Sequence, residues 1–339
     1  MGFLSVGDVL RAVLGWASLM DDPTPAGRVE NLRRAGARLE SARVRDIARG
    51  NDGCLLLAAN EGVSLLDVVR DGLLRGGTGG GGAPCHRVAV YEFEGAGGGD
   101  EESGAVTATA GAGLPGEAAP AFACASGAPL PPGADPTEVR ITGIVSQSDV
   151  VRFLARAGCA AALTTPIGAV PGLVSSPVVS VPADMPAALA FASLFSSEGV
   201  VSAAAILETR GPGAGTFAGT LSSADLRGMR PDGLEALAAP VLAYLSTRPA
   251  RPNPHVAKTE EDLGSGPAKS PSAWGVRAPD AGPGAHPLRA EVAGPDTPLG
   301  EVVELLAASG AHRVYVCGDD GRPSGVCTLT DILRVVAAG

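Results

Sequence analysis

The sequence predicts an α+β protein made of tandem units, each running helix, strand, hairpin, strand, helix. Two observations carry this. A gapless pattern recurs four times, as GFLSVGDVLRAV (2–13), GIVSQSDVVRFL (143–154), GTLSSADLRGMR (219–230) and GVCTLTDILRVV (325–336). Upstream of the later copies, apolar residues fall first at a helical and then at an extended period.

The shared pattern is Gly, two mostly apolar residues, Ser or Thr, two variable residues, Asp, and an apolar helical start. Each position has a mechanical task. Gly lets a strand begin tightly after a hairpin, the apolar pair is buried in a sheet, and Ser/Thr-x-x-Asp turns strand into helix. In the last copy Thr328 falls at the N-cap, where its hydroxyl satisfies a free backbone N–H. Asp331 falls at N3, against the positive end of the helix dipole. A cap alone explains one such turn, whereas four in register are a repeat signature.

The fourth unit is the plainest. TPLGEVVELLAASG reads as a helix with a Gly stop, HRVYV as a strand, GDDGRP as a hairpin turn, and GVCTLTDILRVV as strand and helix. The third repeats the order with MPAALAFASLFSSEG, VVSAAAILE, the turn RGPGAG, and GTLSSADLRG. The second has SLLDVVRDGLLRGG, HRVAVYEFE and GIVSQSDVVRFLARAG. The first has only its closing strand and helix, which reads as an N-terminal truncation. The expected boundaries are 1–20 for this partial first unit, 43–158, 163–232 and 288–339 for the others, and 233–246 for a linking helix, LEALAAPVLAYLS.

Gly 48 and Pro 28 concentrate in residues 95–138 and 247–287, which lack apolar periodicity and are expected to be loop or disorder. The first tract takes the place of the second unit's hairpin turn, where a long insertion costs little loop-closure entropy. The second is a linker ahead of the fourth unit.

A net charge of −10 argues against nucleic acid or an anionic membrane as partner, since both require a basic face. Six Cys show no C-x-x-C and no metal-ligand spacing, so unlinked thiols and no metal are expected. No apolar run approaches the ~18–20 residues of a membrane span. There is no Walker-type loop, no H-E-x-x-H and no G-x-S-x-G, so the chain reads as non-catalytic.

Strand patterning does not explain the cations. Of four His, two are followed by Arg at the same place in a unit, His86-Arg87 in HRVAV and His312-Arg313 in HRVYV. An Arg fork binds phosphate oxygens bidentately, and a neighbouring His adds a donor that charges when a phosphate raises its pKa.

HRVYV through LTDILRVV, together with GTLSSADLRG, resembles the CBS domain. Four in a row resemble the gamma regulatory subunits of the AMP-activated and sucrose-non-fermenting (SNF) kinase family, nearest to the plant SNF4-like, gamma-subunit-like proteins. The resemblance implies that the repeats pair as two Bateman modules whose clefts bind an adenine nucleotide (AMP, ADP or ATP). It makes Asp149 and Asp331 ribose acceptors, with Ser146, Ser148, Thr328 and Thr330 near the ligand and His86, Arg87, His312 and Arg313 on phosphate. Asp8 and Asp225 match the same aspartate position. The third repeat departs, with Val201 and Ser202 where the cations would stand, and the first lacks its own pair.

The function implied is a regulatory subunit or adaptor that senses energy status for a kinase complex of catalytic and beta-type subunits, in cytoplasm or nucleus. The alternative is a degenerate CBS scaffold that binds no nucleotide.

Overall fold

The computed structural model describes residues 6–19, 21–43, 47, 56–59, 64–74, 86–93, 122–124, 139–195, 203–247 and 291–338. In chain order its elements begin with helices α1 (Val6–Ala17) and α2 (Pro25–Ser41). Strand β1 (Leu56–Ala59), helix α3 (Leu65–Asp67), strands β2 (Arg87–Phe93), β3 (Phe122–Cys124) and β4 (Val139–Ser146), and helix α4 (Gln147–Arg156) follow. Then come β5 (Ser180–Pro182), α5 (Ala187–Ser193), β6 (Ala203–Leu207), β7 (Phe217–Ser222) and α6 (Val241–Ser246). The last group is β8 (Val292–Ala293), α7 (Leu299–Ser309), β9 (Arg313–Cys317), β10 (Pro323–Thr328) and α8 (Leu329–Ala338).

These elements fall into two compact units. The first comprises residues 1–3, 50–153 and 329–339. Its sheet has the order β3-β1-β2-β4, with β1 parallel to β2 and the other pairs antiparallel. Ser64 caps α3 by accepting from Asp67 N–H, and the helix widens into a π-helical stretch, Val68–Leu74. That stretch packs against α8, where Arg70 Nε and Nη2 donate to the Ala337 carbonyl at 3.0 and 2.6 Å. This pins a helix C-terminus whose last carbonyls lack intrahelical partners.

The second unit comprises residues 4–49 and 154–328 and holds two three-stranded sheets, β5-β6-β7 and β8-β9-β10. Both repeat one topology, in which a short first strand runs parallel to the middle strand and the last runs antiparallel. Phe217 and Tyr315 join the sheets, ring centroids 4.7 Å apart. Ser175 and Val326 exchange both backbone hydrogen bonds, at 2.9 and 3.0 Å. A large apolar core runs from Leu10, Val13 and Leu32 on α1 and α2 through Phe191, Leu221 and Leu237 to Tyr244.

Several expectations are corrected. The tract 95–138 contains a strand, β3, antiparallel to β1. The closing helix of the third unit shrinks to a single 3-10 turn, Ser223–Leu226, because Gly228 takes a left-handed φ of 75° and Pro231 starts a new 3-10 segment, Pro231–Ala238. The linking helix 233–246 is two pieces broken at Pro240, and both pack into the core through Leu234, Leu237, Val241, Tyr244 and Leu245. The expected closing strand of the first unit, residues 2–5, and the tract 248–287 lie outside the described residues.

The seventeen-residue α2 was not expected at all. Thr24 caps it by accepting from Gly27 N–H, Pro25 stands at its start, and Leu32, Ala35 and Gly36 are buried. It lies on the segment Pro231–Ala238 so closely that a Cβ on Gly36 would stand 2.2 Å from the Pro231 carbonyl oxygen.

Candidate functional site

In the second unit a polar cluster forms where the two sheets meet. Arg313 opens β9 opposite Thr328 of β10, and Tyr315 follows two residues on, 2 % exposed. Tyr315 Oη lies 3.1 Å from Thr220 Oγ1 on β7, and Arg313 is hydrogen-bonded to the same phenol. The carboxylate acting on Arg313 is Asp225. Ser222 fixes that carboxylate through its N–H and hydroxyl, which both donate to Oδ2, at 2.7 and 3.0 Å. Tyr244 Oη in turn donates to the Asp225 carbonyl at 3.1 Å.

Burial pushes the Arg313 guanidinium below the usual arginine value, while Tyr315 and Asp225 pull it back up. Burial raises the Tyr315 phenol, opposed by Arg313 and Thr220. A desolvated guanidinium beside a held carboxylate can take an anionic oxygen on one side and a hydroxyl on the other. His312, next to Arg313, is exposed.

In the first unit His86 and Arg87 are exposed at the start of β2. Arg87 pairs in register with Ser146, and the His86 carbonyl accepts from Gln147 N–H at 3.2 Å. Ser146 and Asp149 form a reciprocal cap. The serine hydroxyl and N–H donate to Asp149 Oδ2 at 2.6 and 2.9 Å, and Asp149 N–H donates back to the hydroxyl at 3.3 Å. Ser148 is half-buried on the same turn. Thr330 reaches Gln147, donating to its Oε1 at 3.0 Å, so residues of the second and fourth sequence copies meet here.

The aspartates of the four copies differ in a way the alignment shows but the twelve-residue pattern omits. Asp8, Asp149 and Asp331 each have an arginine one turn on, Arg11 at 3.9 Å, Arg152 at 2.7 Å and Arg334 at 2.9 Å. In the third copy that place is Gly228, and Asp225 acts on Arg313 instead. Asp8 and Asp331 are buried, 8 % and 4 % exposed. Sequence reasoning also missed Thr220 and Tyr315, although Tyr315 stands in the quoted HRVYV. Val201 and Ser202 lie outside the described residues. Among the described residues no cluster of His, Cys, Asp and Glu could hold a metal, and no helix is long and apolar enough to cross a membrane.

With this geometry in place, residues 289–338 match the family model described as CBS domain. That segment is a CBS domain. It holds β8, α7, β9, β10 and α8, and with them His312, Arg313, Thr328, Thr330 and Asp331. No curated protein matches the chain in sequence.

Solved structures similar to the chain include a Methanocaldococcus jannaschii protein described as a putative archaeal homolog of g-AMPK. It has 11 % identity and a TM-score of 0.34, covering 58 % of this chain and 55 % of that one. An uncharacterized conserved protein of Pyrococcus horikoshii has 16 % identity and a TM-score of 0.36, covering 60 % and 66 %. A CBS domain protein of Streptococcus pneumoniae has 15 % identity and a TM-score of 0.30, covering 49 % and 82 %. The chain thus spans a little over half of the first of these and about two thirds of the second.

Proposed function

We propose that the chain is a non-catalytic regulatory CBS protein. In this reading a cleft binds an adenine nucleotide, and its occupancy is passed to an SNF-related or AMP-activated-type kinase of catalytic and beta-type subunits. The third and fourth repeats pair as one Bateman module. The contacts of β7 with β9 and of residue 175 with β10 support that pairing.

The observation that carries the reading is Arg313, a half-buried cation that Asp225 of another repeat acts on. Phosphate oxygens suit its planar fork, and a ribose supplies hydroxyls for the carboxylate that Ser222 holds. Regulation then requires that the nucleotide bind one arrangement of the partner complex better than another.

One observation favours the scaffold alternative: Asp8, Asp149 and Asp331 are each paired with an arginine of their own helix. Calorimetric titration with AMP, ADP and ATP separates the two. The sensor binds at least one of them, and R313Q and D225N each weaken binding by about tenfold or more. Absence of binding by all three leaves the scaffold. Affinity purification tests the partner, since recovery of kinase catalytic and beta-type subunits is required.

A further inference from the structure

Four of the five large apolar side chains exposed among the described residues, Leu65, Leu66, Ile144 and Phe153, belong to the second sequence repeat. Their counterparts in the third and fourth repeats are buried or half-buried. Ile144 follows the repeat's Gly on β4 and is 50 % exposed. Thr220 and Val326 hold that place on β7 and β10, where Thr220 meets Tyr315 and Val326 packs on the core of Ala205, Phe217 and Tyr315. Leu65 and Leu66 follow the N-cap Ser64. Behind the N-caps Pro186 and Pro298 the same two places hold Ala187 and Ala188, and Leu299 and Gly300, all buried. Met229 and Val335, in the place of Phe153, are half-buried.

What covers the counterparts is another repeat with its flanking chain, and the cover runs both ways. Leu163 and Thr165, on the chain ahead of β5, accept from the N–H groups of Gly300 and Leu299 at 2.8 and 3.0 Å. Ala239, on the chain ahead of β8, accepts from Ala187 N–H at 2.8 Å. Pro166 bridges Pro298, and Pro240 bridges Pro186. Exchange of equivalent contacts is the mark of a two-fold arrangement, so two identical repeats can close the same face. The charges suit this. Asp225 of the third repeat acts on Arg313 of the fourth. The second repeat carries both members itself, Arg87 opening β2 and Asp149 in the first turn of α4. A two-fold pair therefore sets each arginine against the other molecule's aspartate. Asp149 is bonded to Ser146 and Arg152, yet its side chain is 49 % exposed and a carboxylate has lone pairs for a further donor.

We propose that the chain self-associates through its second repeat, with the β4 face and the start of α3 closing on the same surface of a second molecule. Singly exposed apolar residues are ordinary. A set that matches, place for place, a face buried elsewhere in the same chain marks an interface. Leu66 stands at the place of Gly300, where a Cβ would be 2.0 Å from the Ala160 carbonyl oxygen, so the second molecule rests on its side chain and not on its backbone. An unrelated apolar partner would need no arginine and aspartate at matched places, whereas a second copy of the chain uses the apolar and the charged residues together. The inference is independent of any nucleotide.

Sedimentation velocity of the full chain from about 1 to about 100 µM should show a concentration-dependent dimer, in the range of the weaker interfaces of standard size. I144E, L66E and R87E each weaken the dimer by about tenfold or more. V179E, at the fifth exposed apolar residue, leaves it unchanged. All four positions are exposed, and circular dichroism verifies each fold. In the unaltered chain, amide exchange over β4 and α3 slows as concentration rises. A chain that stays monomeric over the whole range overturns the proposal. So does a dimer that survives both I144E and L66E, or one that V179E weakens as much as they do.

Discussion

Thr330, in the first turn of α8, donates its hydroxyl hydrogen to Oε1 of Gln147, the first residue of α4, across 183 positions of sequence. Gln147 is 3 % exposed, so this bond joins two copies of the repeat inside the protein. T330V removes the donor and keeps the shape. It is expected to lower unfolding free energy by about 1 kcal/mol, because a buried acceptor loses a partner that water does not replace. Denaturant titrations of T330V, Q147L and the double variant form a cycle whose coupling should be about 0.5–1.5 kcal/mol. Additive effects would mean that the two side chains do not meet.

Asp149 gives a pH signature. Burial works against its charged form, but the Ser146 hydroxyl and N–H and the Arg152 guanidinium outweigh it and hold the carboxyl below its usual value. A depressed folded pKa means the unfolded chain takes up the proton more readily, so the stabilisation is present above the unfolded value near 3.9. It is lost as pH falls through the folded value. D149N keeps the outline without the charge. The Asp149 side chain is 49 % exposed, so solvent screening limits the deficit at neutral pH to about 1 kcal/mol or less. Denaturation followed from neutral to acid pH should show the gap closing below about pH 4. A gap that stays constant over that range would count against the carboxylate's role.

How much of this was legible in the sequence depended on length and periodicity. HRVYV, the GDDGRP turn and TLTD mark β9, the hairpin and the start of α8. The opening strands β5 and β8, of three and two residues, are too short to show an alternating period. The third closing helix was misread by alignment, although Gly228 and Pro231 stand in plain view. β3 was hidden by the Gly/Ala composition around it, and the π-helical turn of Val68–Leu74 has no sequence period of its own. The candidate site residues stand out in the sequence as copies of a pattern, but their grouping depends on how sheets pack. That Arg313 faces Asp225, with Tyr315 and Thr220 beside it, could not be read from either repeat alone.

Two helical glycines put packing against propensity. Gly15 on α1 is exposed and has nothing within 4 Å of where a Cβ would stand. G15A should therefore stabilise by about 0.5–1 kcal/mol, the backbone-entropy advantage of alanine in a helix. Gly300 on α7 is buried, and its N–H donates to the Leu163 carbonyl at 2.8 Å. A Cβ there would stand 2.0 Å from the Ala160 carbonyl oxygen and 2.9 Å from its carbon. Backbone cannot swing aside as a side chain can, so α7 must shift away from the 3-10 turn Cys159–Ala162. G300A gains the same helical preference and loses more, for a net destabilisation of about 1–3 kcal/mol typical of an overpacked core. Urea midpoints of the two variants should move in opposite directions from the parent. A G300A chain as stable as G15A would show that α7 does not approach that turn closely.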